Sequence, residues 1–372
     1  MGTRNERYHR YKLTVMATSQ FTIYSSADLF GPGPVSGVTG SLLPVLDACL
    51  VNGYGSGSSY YKPAAGWTKP FANSASIGCY KQASGSQYTM LVNDAGQHAF
   101  TGRDANVVGW KLLANLSSSI IISSQSLGTG WGQFPLPAQS LGSGSVVWKK
   151  SSTADATTRG WIIAADAYTM YMWILDGTAT AQYSQYGFGD FYSLGGTADN
   201  NRCFIIGRGI IASVTQAGYD MGDAISLGSW WAGPVTSQLS IGFAGHYIAG
   251  PASGFGGSIR FTKKGDSTLS TAGTTGGVPS IIYGAQSGVL SAPNATDNKF
   301  YLSYVWLIEE PTYALRGKLR GYYQMCHPVG NFADGQIING SGDFAGKIFL
   351  IIKSGVVGGF WAIETSPTVI TN

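Results

Sequence analysis

The sequence predicts a mainly β protein, built of antiparallel β-sandwich-like domains with one short helix near the N-terminus. Three observations carry that expectation. The 53 glycines outnumber the 23 Lys and Arg and 19 Asp and Glu taken together, and each Gly costs a helix interior about 1 kcal/mol relative to Ala. The 16 Phe, 10 Trp and 21 Tyr also exceed the charged residues, and such side chains suit a half-buried pleated surface. Only 4 of the 19 acids are Glu, the helix-favouring one.

The elements follow in order. Gln20 to Ser25 reads as a strand, and Gly31-Pro32-Gly33-Pro34 then breaks the chain. The short helix is expected over 41–52: Ser41 can cap it, Leu42, Leu43, Val45, Leu46, Cys49 and Leu50 give an apolar face, and Gly53 can end it. After a Gly/Ser/Tyr loop and a stretch from Lys62 to Phe71, strands are expected at Ala75–Lys81, Tyr88–Asn93 and Gln97–Thr101. Ser84-Gly85-Ser86 and Asp94-Ala95-Gly96 supply the hairpin turns. Ser117 to Ser145 reads as a connection. Strands then recur at Val146–Lys150, Trp161–Ala165, Tyr168–Leu175, Cys203–Gly207 and Leu239–Phe243, with turns at Gly177, Gly187, Gly189 and Gly195-Gly196. A second polar stretch, Ser267 to Asp297, precedes a strand at Phe300–Ile308 and a closing hairpin of Lys347–Lys353 and Gly359–Glu364.

At 372 residues the chain exceeds the roughly 250 to 300 at which single cores stop growing. The expected division is a basic arm at 1–15, an N-terminal β domain at 16–115, a connection at 116–144, a central β domain at 145–311 and a small β module at 312–372. No apolar run approaches the roughly 18 residues of a membrane-spanning helix, and the first residues lack the pattern of a secretory signal. A soluble protein is expected.

Net charge is +4, and Arg4, Arg7, Arg10 and Lys12, opposed by Glu6, supply +3 of it. These four residues form a candidate anchoring arm. The rest of the chain is nearly neutral and lacks the clustered cations that a nucleic-acid groove requires, so neither nucleic acid nor membrane is an expected partner. Cys49, Cys79, Cys203 and Cys326 form no CxxC pair, and Cys49 and Cys203 read as small buried hydrophobes. This usage fits assembly in a reducing cytoplasm.

No motif commits the chain to catalysis. Gly254-Phe255-Gly256-Gly257 lacks the Lys-Ser/Thr ending of a phosphate loop, and a strand rather than a helix follows it. Glu309-Glu310 is an adjacent acidic pair, but neighbours on a strand point to opposite faces, unlike the two carboxylates that flank a glycosidic bond. Asp166, Asp176 and Asp190 adjoin turns, where Asp is expected in any case. His9, His98, His246 and His327 are isolated, so no metal and no cofactor is expected. The aromatics Trp67, Trp230, Trp231, Tyr186 and Tyr192 are candidates for a glycan-stacking or interface surface, although large β cores use the same residue types.

Several stretches resemble a group of structural proteins from tailed-bacteriophage virions. They are YSSAD at 24–28, GSLLPVLDACLVNGYG at 40–55, KPAAGW at 62–67, FGDFYS at 188–193, IGR at 206–208, LRGYY at 319–323 and AGK at 345–347. The similarity runs from Met16 to Glu364, with the second stretch the most distinctive. Members of the group begin near Met16, which makes residues 1–15 an extension. The resemblance brings no catalytic residues with it.

It implies a non-enzymatic virion component, tail- or baseplate-associated, present in multiple copies and assembled in the host cytoplasm. Its partners would be other virion proteins and copies of itself. Alternatives are a capsid decoration or head-fibre protein, and a receptor-recognising tail protein that binds a bacterial surface glycan. An enzymatic alternative is a polysaccharide depolymerase acting through Glu309 or nearby Asp residues.

Overall fold

A computed structural model of the chain describes residues 20–57, 61–74, 76–94, 104–110, 146–177, 183–199, 202–207, 210–211, 214–215, 246–248, 257–258, 260–261, 302–309, 314–325, 332–353 and 360–365. The arm residues Arg4, Arg7, Arg10 and Lys12 lie outside these, as do Trp230, Trp231, Cys326 and the two long polar stretches. The strands expected at 97–101 and 239–243 also lie outside.

Numbered along the chain, the first strands are β1 (Thr22–Ser25), β2 (Thr68–Ser74), β3 (Ile77–Lys81), β4 (Thr89–Asn93), β5 (Asp104–Trp110) and β6 (Val146–Lys149). Next come β7 (Trp161–Ala165), β8 (Thr169–Ile174), β9 (Ser184–Asp190), β10 (Tyr192–Ser193) and β11 (Cys203–Ile206). Among the described residues, the short strands β12 (Ile210–Ile211) and β13 (Val214–Thr215) pair only with each other. The last group is β14 (His246–Ile248), β15 (Gly257–Ser258), β16 (Arg260–Phe261), β17 (Leu302–Glu309), β18 (Ala314–Met325), β19 (Ile337–Asn339), β20 (Ile348–Lys353) and β21 (Phe360–Thr365).

Three larger sheets result, and every strand pair within them is antiparallel. A front sheet runs β2-β3-β4-β5-β6, a central sheet β1-β7-β8-β9-β11-β14-β15, and a back sheet β16-β17-β18-β21-β20-β19, with β10 also pairing β18. The mainly β expectation is met.

The layering follows from the central strands. β8 is buried at all six positions, which a strand with one solvated face cannot be. Its Met170, Met172 and Ile174 pack with the front sheet and the helix, beside Trp67, Tyr80, Met90, Val107 and Trp148. Its alternate residues Tyr171 and Trp173 pack with Leu307, Leu319, Tyr322, Ile352 and Trp361 of the back sheet. β11 divides in the same way, Cys203 and Ile205 to the front, Phe204 and Ile206 to the back. A smaller cluster of Tyr323, Phe349, Ile351 and Ala362 covers the outer face of the back sheet.

The sheets take strands from both sides of the bounds between 16–115, 145–311 and 312–372. β1 pairs with β7, β5 with β6, and β17 with β18, and Phe21 bridges to Thr365 near the other end of the chain. Strands that are apolar on both faces need cover on both sides, so the flanking segments close onto one central layer.

The short helix is α1 (Leu43–Leu46), continued by a π-helical turn over Asp47–Asn52. It ends where expected: Gly53 takes φ 70° and donates its N–H to Ala48 O at 2.8 Å. The capping expectation is corrected. Ser41 does not cap the helix, because its hydroxyl donates to Ser36 O at 2.7 Å. Asp94, from the end of β4, accepts instead from Leu42 N at 3.0 Å, while its own carbonyl accepts from Gly40 N at 3.0 Å.

Asp94 is itself clamped by Lys150, just beyond β6, with both side chains fully buried. Lys150 Nζ also donates to Val38 O at 2.8 Å and Ser41 Oγ at 3.2 Å. One ion pair thus ties the loop before the helix to two strands of the front sheet. Burial raises the Asp94 carboxyl from 3.8 to about 6, against the lowering effect of Lys150 and the backbone donors. Cys49, Cys79 and Cys203 are free thiols in the interior, as the hydrophobe reading of Cys49 and Cys203 expects.

Candidate functional site

The three layers are joined at one edge by the turn between β7 and β8. Asp166 forms that turn by accepting from Tyr168 N and Thr169 N at 2.8 Å each through Oδ1, an ordinary use of Asp. Its carbonyl accepts from Trp67 Nε1 of the front layer at 2.7 Å, and its Oδ2 accepts from Arg320 Nη2 of β18 in the back sheet at 2.8 Å. A single residue of the central layer therefore holds both neighbours.

Arg320 lies against two aromatic rings, its guanidinium carbon 4.4 Å from the Tyr168 ring centre and 4.8 Å from that of Tyr192. Both distances are within cation–π range. Burial works against the Arg320 charge, but Asp166 and the adjoining tyrosines outweigh it and hold the guanidinium above its usual value. Tyr168 is 36% exposed, and Tyr192 is half-buried. Together they frame the cation at the protein surface.

Arg320 ends a row. Arg316, Lys318 and Arg320 alternate along β18, as residues on one face of a strand do. Arg316 pairs with Asp199 at 2.9 Å and lies over Phe191, while Lys318 Nζ sits 3.5 Å from the Tyr304 ring centre. Beside this row, Asp190 at the end of β9 latches the β3–β4 turn to the central layer. It accepts from Ser86 N at 2.8 Å, Gln82 Nε2 at 2.9 Å and the Ser86 hydroxyl, and pairs with Arg202 at 3.1 Å. Burial raises the Asp190 carboxyl despite these donors.

The aromatic candidates separate. Trp67 is 2% exposed and packs on Phe188 at 6.1 Å between ring centres. Tyr186 is 1% exposed, stacks on Trp148 at 5.6 Å, and exchanges hydrogen bonds with the Lys149 backbone through its hydroxyl. Both are core residues in this chain, because they lie on the faces of layers that another layer covers. Tyr192 alone of the described candidates reaches the edge, where Tyr168 and Arg320 join it. Sequence reasoning placed Tyr168 only as the start of a strand, although the Asp166-Ala167-Tyr168 turn sequence was a usable signal of a surface position.

Of the acids considered for catalysis, three have structural partners, while the Glu309 side chain and Glu310 lie outside the described ones. Asp166 holds Arg320, Asp190 holds the β3–β4 turn, and Asp176 accepts from Ser184 Oγ at 2.8 Å and pairs with Lys149 at 3.3 Å. Among the described residues no group of three His, Cys, Asp or Glu side chains is placed to hold a metal ion. No described helix is long and apolar enough to cross a membrane. No family model matches the chain. No curated protein matches it significantly either.

Proposed function

We propose that this chain is a non-enzymatic structural component of a tailed-phage virion, tail- or baseplate-associated, acting by assembly in multiple copies. The sequence resemblance supplies the particle. The observation that supports the scaffold role is the use to which charge is put: Asp94, Asp166, Asp176 and Asp190 each tie separate segments of one layered body together. Carboxylates committed in this way favour rigidity over proton transfer. The test is quantitative mass spectrometry of gradient-purified particles. The proposal expects peptides of this chain at several copies per particle, and their absence from particles that contain the other virion proteins would refute it.

A second reading, a glycan-binding surface, draws support from one observation: Tyr168 and Tyr192 present rings at the edge against Arg320. Aromatic rings of this kind offer an amphipathic surface to a partner. The two readings diverge in adsorption. Particles carrying Tyr168→Ala with Tyr192→Ala should adsorb normally under the scaffold reading and lose adsorption under the glycan reading.

A further inference from the structure

Three side chains that adjoin Tyr322 between the central and back sheets each carry a buried N–H donor. Trp173 and Gln185 face each other across β8 and β9, and Trp361 lies on β21. Each of the three side chains is 1% exposed. Among the described residues, Trp173 Nε1, Gln185 Nε2 and Trp361 Nε1 find no protein acceptor. All three side chains adjoin Tyr322, whose hydroxyl donates to Gln185 Oε1 at 2.7 Å. Its ring stacks on Trp173 at 6.1 Å with 16° between planes, and meets Trp361 at 5.0 Å.

A buried donor without an acceptor is costly, and native interiors carry few of them, satisfying the remainder with ordered water. Three on the neighbours of one side chain therefore point to an occupant. Its chemistry follows from the donor set. The N–H groups are neutral and call for an acceptor, while Gln185 Oε1 keeps a second lone pair after accepting from Tyr322. A cation would find one amide oxygen against three N–H groups and no carboxylate, and an anion would have no charged partner in the set. Water both accepts and donates.

We infer that ordered water occupies this seam, accepting from Trp173, Gln185 and Trp361 and thereby bridging β8 and β9 to β21. The bridge adds a directional contact to an otherwise apolar interface, which fixes where the back sheet sits on the central one.

The direct test is a crystal structure of the full chain at a resolution that shows solvent. It should show ordered water within about 3.2 Å of at least two of the three donors. A dry seam would overturn the inference, as would a halide revealed by anomalous signal after bromide exchange. A second test replaces Trp173 with the isosteric benzothienylalanine, which keeps the ring and lacks the N–H. If water is bridged there, the unfolding constant in urea should rise about fivefold, the scale of one lost hydrogen bond. An unchanged or lower unfolding constant would contradict the bridge, because removing an orphaned donor relieves the folded state.

Discussion

Asp94–Lys150 and Asp166–Arg320 are both carboxylate–cation pairs joining segments far apart in the chain, yet they sit in opposite surroundings. The first is sealed, with both side chains fully buried and the ammonium enclosed by a carboxylate, a backbone carbonyl and a hydroxyl. The second lies at an edge, its guanidinium against two tyrosine rings, one of which is 36% exposed. The difference teaches where each kind of pair can contribute. A sealed pair depends on complete pairing, since an ion left alone in the interior is heavily penalised. An edge pair can lose a partner to water.

The largest effect should come from breaking the sealed pair. Lys150→Met leaves Asp94 buried without its cation and should cost about 3 to 5 kcal/mol in urea unfolding. Arg320→Ala should cost less, about 2 kcal/mol, because solvent reaches the edge and can hydrate Asp166. Arg320→Lys should not restore that loss, since a lysine cannot both pair with Asp166 and spread a planar cation against the rings. If Arg320→Ala proved as damaging as Lys150→Met, the contrast between the pairs would fail.

The sealed pair should also respond to pH. The Asp94 carboxyl titrates in the folded protein at about 6, against 3.8 ordinarily. A folded value above the unfolded one means that the native state binds the proton more tightly. The cost of ionising Asp94 is therefore absent below the lower value, grows as pH rises through the window, and is complete above the upper one. Stability measured by urea unfolding should fall across that window in the wild type. The fall should be smaller in Asp94→Asn, with a residue left by Asp190, whose carboxyl is raised in the same direction. An identical slope in both proteins would remove Asp94 as the source.

The smallest effect belongs to the rings themselves. Tyr168→Ala should change stability by about 0.5 to 1 kcal/mol, since its ring is partly in water. A larger loss in thermal or urea unfolding would make Tyr168 a core residue in practice.

Much of the central layer was legible in the sequence. The runs from Tyr168 to Leu175 and from Trp161 to Ala165 marked strands that appear at Thr169–Ile174 and Trp161–Ala165. β9 was read as turns because of Gly187 and Gly189. In the fold those glycines make room: a Cβ on Gly187 would stand 3.1 Å from both Phe204 and Tyr171, and Gly189, at φ 138°, packs against Tyr168 O. β18 was hidden for another reason. Arg316, Lys318 and Arg320 look like a solvated segment until β10, β17 and the β7–β8 turn supply the rings and carboxylates that cover them. Of the aromatic candidates only Tyr192 pointed to the site, and Asp166 was legible as a turn residue but not as a tie between layers, because burial of Trp67 and Tyr186 and the reach of Arg320 depend on layers brought together from distant parts of the chain.

The central claim, assembly into a particle, is tested most directly by immunogold labelling of intact virions with antibody to this chain. The account predicts label at a fixed place at the tail tip or baseplate, in several copies. Label over the capsid would contradict the tail assignment and favour a decoration protein, and particles left unlabelled while the lysate reacts would contradict the structural role altogether.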